Sequence, residues 1–387
     1  MPADLKFALL ALLVIALVAG CGSESNYTVE PQSSVNAYGF DYQTGTLPLP
    51  KEPAENPATE EKFQLGRHLF YDVRLSGNQT MSCESCHQQA LAFSDGVKVP
   101  TGSTGEVLHR NSQTLTNIAY NASYTWANPI LKEIEQQLVI PLFGEFPVEM
   151  GINDSNRETI LQRFRDDVLY QELFNNAFPN HQDSFTFPNV IKALAVFNRA
   201  LISKDSPFDR GTMSSSAMRG QDLFNSEKME CFHCHNGFNF SDSTLHDGSV
   251  FVSRPFFNTG LYNLDSQGSY PIEDNGLFSV TQNPSDKGKF RPPTLRNVAF
   301  TAPYMHDGSI ASLAEVLDFY ANGGRNITSG EHQGDGRINP NKSEFVKGFT
   351  LSAQEKQDML AFLNALSDPV FISNPRYANP FVAEVSQ

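Results

Sequence analysis

Apolar positions along the chain fall into separated groups with helical spacing. Thr159 to Tyr170 and Val190 to Ser203 place apolar side chains every three to four residues, which predicts two amphipathic helices. Ser352-x-x-Glu355 is a capping box, and Met359, Phe362, Leu363 and Leu366 behind it predict a closing helix. Leu131–Ile134 and Leu313–Val316 share the opening Leu-x-Glu-Ile/Val and predict two more. Residues 236–290 are rich in Gly, Asn, Asp and Pro and predict a long loop. A loop of that size is unusual unless it has a function. The expected fold class is mainly α, with long wrapping loops.

The pattern occurs twice. Gly66-x-x-Leu69-Phe70 returns as Gly220-x-x-Leu223-Phe224, and Phe93-Ser94-Asp95 as Phe240-Ser241-Asp242. The stretch from Thr114 to Tyr124 matches the stretch from Thr294 to Tyr304, with Leu115, Asn117, Ala119 and Ala122 recurring as Leu295, Asn297, Ala299 and Ala302. Two long halves on one plan, 59–205 and 206–387, are not a solenoid, which needs more and shorter repeats.

The beginning of the chain has another character. Phe7 to Ala19 is almost unbroken apolar sequence, too short to span a bilayer comfortably and of the size of a secretory signal core. It ends in Val18-Ala19-Gly20-Cys21, which resembles a bacterial lipobox; an ordinary export signal with a chance cysteine is the alternative. The expectation is removal of residues 1–20, lipid on Cys21 and a flexible tether over 21–58, which is rich in Ser, Asn, Pro, Glu and Thr. Gly22 after the cysteine resembles sorting to the outer membrane, on its periplasmic side. The membrane would then be met through the lipid anchor only.

The chain has 387 residues, 40% of them hydrophobic and 18% charged, enough apolar material for packed cores. Its formal charge is −15 without a basic run, which disfavours nucleic acid and anionic membranes and suits a positively charged protein partner. Five cysteines is an odd number and argues against a simple disulfide framework. With Cys21 set aside, the other four form two identical motifs, Cys83-x-x-Cys86-His87 and Cys231-x-x-Cys234-His235. Two thiols at this spacing can each add to one haem vinyl group, and the adjacent His then ligates the iron from below. A redox pair does not need the histidine, and zinc would want both pairs in one site. The chain is therefore expected to carry two covalent c-type haems, with His233 as a spacer inside the second motif.

What each iron does depends on its sixth ligand. Between His87 and His109 the chain offers no His, Met, Tyr or Cys, which leaves the first haem open. Gln137 and Glu149 downstream supply an amide and a carboxyl suited to proton transfer with bound peroxide, although a surface carboxylate is the plainer reading of Glu149. His109 is a further possible ligand, and Arg110 beside it favours a propionate-side place. For the second haem, Tyr304, Met305, His306 and Tyr320 are available, and chemistry alone makes Met305 or His306 the default.

From about residue 60 to 370 the chain resembles the bacterial diheme cytochrome c peroxidase and MauG superfamily. The resemblance lies in GRHLFYDVRLS, both CxxCH motifs, RNSQTLTNIAYNASYTW, PVEMG, SPFDR, GKFRPPTLRNVAFTAPYMHDG and LDFYANGG. In the peroxidases a Met ligand stands fourteen residues after the His of the TAPYxH stretch; here that place holds Tyr320, the MauG-type feature. The TWANP and LFGEFPVEMG forms resemble the MbnH branch, whose members oxidise a Trp on a partner protein. The resemblance implies that Gln137 and Glu149 are the distal pair, twelve positions apart where the family usually has two fewer. It implies that Trp126, the single Trp of the chain, lies between the haems, and that Asn111, Thr301 and Pro303 hold a calcium ion. MauG's surface Trp before the second motif is replaced by Met229, so oxidising power must leave by another route.

The implied function is a diheme oxidase that uses hydrogen peroxide to reach a high-valent state and oxidises a residue of a partner protein. The alternatives are a hydrogen peroxide reductase fed by a small electron-donor protein, and a non-catalytic diheme electron carrier.

Overall fold

The computed structural model describes residues 33–382. In the first half the described helices are α1 (Glu60–Tyr71), α2 (Ile134–Phe143), α3 (Arg157–Arg165), α4 (Val168–Ala177) and α5 (Phe187–Arg199). In the second they are α6 (Ser215–Phe224), the four-residue α7 (Phe278–Thr281), α8 (Leu313–Ala321) and α9 (Ala353–Ala365). A two-residue antiparallel ladder joins β1 (Asn326–Ile327) to β2 (Gly334–Asp335). The fold is mainly helical with long connections, as expected. No described helix is long and apolar enough to cross a membrane.

The repeated Gly-x-x-Leu-Phe motif marks a helix crossing in each half. A Cβ on Gly66 would stand 2.0 Å from the carbonyl oxygen of Ala193, so α1 meets α5 backbone to backbone. A Cβ on Gly220 would stand 2.0 Å from the carbonyl oxygen of Asp358, so α6 meets α9 in the same way. The repeated Asn also has one task. Asn117 and Asn297 sit in the left-handed region at φ 53° and 61°, and each opens a short 3₁₀ turn. The Asn117 N–H donates to Leu201 O, and the Asn297 N–H to Leu366 O, tying each turn to the chain just past α5 or α9.

Several boundaries differ from expectation. The amphipathic stretch 159–170 is two helices, because Asp166 and Asp167 break it and Asp167 caps α4 through Leu169 N–H. The first Leu-x-Glu-Ile stretch begins its helix only at Ile134, since Leu131 O accepts from Tyr124 N–H instead. The tether expected over 21–58 does not reach residue 58. Phe40, Tyr42, Leu47 and Ala58 are buried, and Phe40 packs on Phe63 of α1. The part of that segment before residue 33, with the signal stretch and Cys21, lies outside the described residues.

The halves also interlock. The described residues belong to one compact unit with no division near 205. The Asp368 carboxylate, past α9, accepts from the backbone N–H groups of Lys204 and Asp205. The chain then returns to the first core, where Phe371 and Tyr377 are buried and Tyr71 donates its hydroxyl to Tyr377 O.

Candidate haem centres

Each CxxCH motif lies on a short 3₁₀ turn, Cys83–Ser85 and Cys231–His233, with the histidine just beyond. The repeated Phe-Ser-Asp motif fixes that histidine. His87 Nδ1 is 2.9 Å from Phe93 O, and His235 Nδ1 is 3.0 Å from Phe240 O. A carbonyl can only accept, so Nδ1 carries the proton and Nε2 is left free as a ligand atom. Burial pushes both imidazoles down from their ordinary pKa, toward the neutral form that ligates a metal.

The four sulfurs are free of disulfides, and burial raises each thiol to about 12. A redox pair needs a depressed thiol, so that alternative does not fit. Zinc does not fit either: among the described residues the two cysteine pairs do not meet in one ligand cluster.

A large, mostly apolar cavity adjoins the second motif. Its wall includes Cys231, Cys234, His235, Trp126, Arg291 and Tyr320. Arg291 is 2% exposed, and among the described residues no carboxylate pairs with it; its guanidinium bonds to Gln113, Thr125 and Asn121 oxygens. Burial lowers its pKa to about 10. A buried cation without a counter-charge is costly, and the carboxylates of a haem would supply one. The residues present therefore fit a covalently held haem. Arg291 was missed in the sequence because its burial is a tertiary property.

Tyr304, Met305, His306 and Tyr320 all line this cavity. His306 is stacked on Phe290, ring centroids 3.7 Å apart, and its Nε2 lies 3.3 Å from Asp274 Oδ2, close but not aligned for a hydrogen bond. Tyr304 donates to Val298 O. The Tyr320 hydroxyl has no hydrogen-bond partner among the described residues. Burial pushes its phenol up, and the charge-bearing groups near enough to add to that are Cys234 and Cys231. Tyr320 thus lines the same cavity as the cysteines of the motif. Trp126 donates its indole N–H to Asn111 O, 2.8 Å, on the same wall as Thr301 and Pro303.

At the first motif, Glu149 is half-buried, and desolvation raises its carboxyl to about 7. Its charge also acts on Cys83 and Cys86, which puts it within electrostatic reach of the first motif. Gln137 is half-buried on α2. His109 is exposed, and Arg110 pairs with Asp274 at 2.7 Å.

Residues 60–217 match the family model described as di-haem cytochrome c peroxidase. Cytochrome-c peroxidase IdrP1 of Pseudomonas sp. (strain SCT) is 36% identical over 88% of this chain and 91% of its own length. The chain belongs to the di-haem cytochrome c peroxidase and MauG family. Methylamine utilization protein MauG of Methylorubrum extorquens is 31% identical over 84% of this chain and 83% of its own length. The crystal structure of a MauG-like protein associated with microbial copper homeostasis superposes with a TM-score of 0.86 at 47% identity, over 87% of this chain and 97% of that one. Membership in the di-haem peroxidase and MauG family makes the chain a haem oxidoreductase and implies two c-type haems.

Proposed function

We propose that the protein uses hydrogen peroxide to oxidise a residue of a partner protein, in the manner of MauG. Tyr320 carries this reading: a phenol with no hydrogen-bond partner among the described residues lines the cavity of Cys231 and Cys234, where the peroxidases have Met. Bound haem supplies an iron that exchanges single electrons and, with one face open, binds peroxide. His87 and His235 would hold the irons through Nε2. Glu149 takes a proton from peroxide and returns it to the departing oxygen, with Gln137 orienting the molecule. Tyr320 would hold the second iron through a hard anionic oxygen that favours its oxidised form, and Trp126 would couple the two sites. Asn111, Thr301 and Pro303 would hold calcium through side-chain and backbone oxygens, a donor set suited to that hard cation.

The test uses the holoprotein with both haems. Tyr320→Met should raise the second haem's potential, on the order of 0.1 V within the ~0.8 V that axial ligands span. It should also abolish oxidation of a partner protein while leaving both haems attached. Full retention of protein-oxidising activity would make Tyr320 a packed aromatic.

A second reading is supported by relatives named cytochrome-c peroxidase. Rapid peroxide turnover with a reduced small cytochrome, and no protein modification, would put it ahead. We also propose a lipid anchor on Cys21 that holds the protein on the periplasmic side of the outer membrane. Cys21→Ser should move it from the detergent phase to the soluble periplasmic fraction; a wild type already soluble, with another first residue, would remove the anchor.

A further inference from the structure

Met229 stands where MauG has its surface Trp, and it is buried at 4% exposure. Another set of side chains leads out of the second cavity. Phe290 and His306 form part of the cavity wall and stack on each other. Tyr270 lies behind them, its ring 6.1 Å from His306 and 6.2 Å from Phe290. Tyr262 follows edge-on at 5.5 Å, and the half-buried His332 lies edge-on to Tyr262 at 5.4 Å. His332 belongs to the otherwise exposed loop 328–333. Tyr262, Tyr270, Trp126 and Tyr320 are members of one packed cluster.

Tyr262 differs from Tyr270 in its hydroxyl partner. It donates to Asp307 Oδ2 at 2.5 Å, whereas Tyr270 donates to the amide oxygen of Asn258. Burial alone would raise the Asp307 carboxyl, but His306, Tyr262, Ser309 and Arg325 together hold it below its ordinary value, so it is an ionised acceptor. A phenol loses an electron readily only when its proton has somewhere to go. Tyr42 with Glu52 and Tyr170 with Asp72 make the same kind of pair, but both belong to the first core, away from this cluster.

Resting on the peroxide-driven oxidation proposed above, we infer that Tyr262 is a redox relay through which oxidising equivalents leave the second cavity toward the face of Arg325 and His332, with Asp307 as its proton acceptor. Hydrogen peroxide takes up two electrons from the relay and two protons from solvent as its O–O bond breaks to give two waters. Tyr262 supplies these electrons one at a time. Its O–H bond breaks, the electron passes by Tyr270 and the His306–Phe290 stack into the cavity, and the proton moves to Asp307 Oδ2. An oxidisable side chain of the partner protein, docked at the surface, then returns one electron, Asp307 returns the proton, and the phenol is restored.

The test is freeze-quench spin resonance of the diheme protein mixed with hydrogen peroxide, without partner. A tyrosyl signal is expected, identified by narrowing with ring-deuterated tyrosine. Tyr262→Phe should lower it at least tenfold, while Tyr42→Phe and Tyr170→Phe keep it. Asp307→Asn should lower it several-fold. Peptide mapping gives a second readout: oxygen added to His332 in the wild type should fall several-fold in Tyr262→Phe, with haem content and circular dichroism checked for folding. A signal that persists in Tyr262→Phe, or a wild type that consumes peroxide without any tyrosyl signal, overturns the relay alone. A wild type that does not react with peroxide overturns the relay together with the proposed function.

Discussion

Glu149 shows how one side chain acquires an environment that its sequence neighbours do not announce. Its place between Val148 and Met150 gives no hint of burial, yet the fold brings it within electrostatic reach of Cys83 and Cys86, and desolvation raises its carboxyl to about 7. A general base must be ionised to act, and ionisation is complete only above that value. The rate of the peroxide reaction should therefore rise from pH 5 through about 7 and level off above it. Glu149→Gln should remove this rise and slow the reaction by ~10²–10⁴-fold, the usual range for a lost proton-transfer group. Stopped-flow traces across pH would check both; an unchanged profile would return Glu149 to a surface role. The same shift affects stability with the opposite sign. A carboxyl raised in the folded state stabilises fully below its unfolded value near 4.5 and loses that contribution as pH rises through about 7. The CxxCH cysteines and histidines were legible in the sequence because covalent attachment demands local spacing. Glu149's pKa and Arg291's orphaned charge were not, because both are set by distant chain.

At the scale of elements, the duplication was legible in outline and its cause was not. Gly66 and Gly220 read as a repeated motif, but only the structure shows that each lets one helix backbone touch another. Helix ends were the weakest expectation: Asp166-Asp167 split one predicted helix, because a capping carboxylate outweighs continuous apolar spacing there. The glycine crossings give a symmetrical prediction. Gly66→Ala places a methyl 2.0 Å from Ala193 O, and Gly220→Ala does the same at Asp358 O. Neither contact involves a flexible side chain, so the helices must separate. Each variant should lose ~1–3 kcal/mol or more, the usual cost of overpacking. Urea unfolding followed at the haem bands should show the Gly66→Ala loss at the first haem and the Gly220→Ala loss at the second. Two unshifted midpoints would mean that the crossings relax without cost.

For the whole molecule, the sequence suggested two halves in series, and the chain instead closes on itself. The segment after Asp368 belongs by position to the second haem, yet Phe371 packs on Phe93 at 5.6 Å and on Tyr377 at 5.7 Å. Phe93 is the residue whose carbonyl holds His87. Gln89, two positions after that histidine, donates to Phe371 O and Asn374 O. The tail therefore braces the ligand of the first haem from the far end of the chain, and an apolar repeat pattern cannot show this because the tail has no counterpart in the first half. Phe371 is 2% exposed, so Phe371→Ala should cost ~3–5 kcal/mol. That is a large share of the ~5–15 kcal/mol that holds a typical domain folded. The loss should emerge at the first haem, as an earlier unfolding transition in its absorption and weaker binding at His87. The second haem, whose histidine is held by Phe240, should keep its own midpoint. If instead the transition at the second haem comes first, the tail serves the half it belongs to by sequence, and the bracing of His87 falls to Phe93 alone.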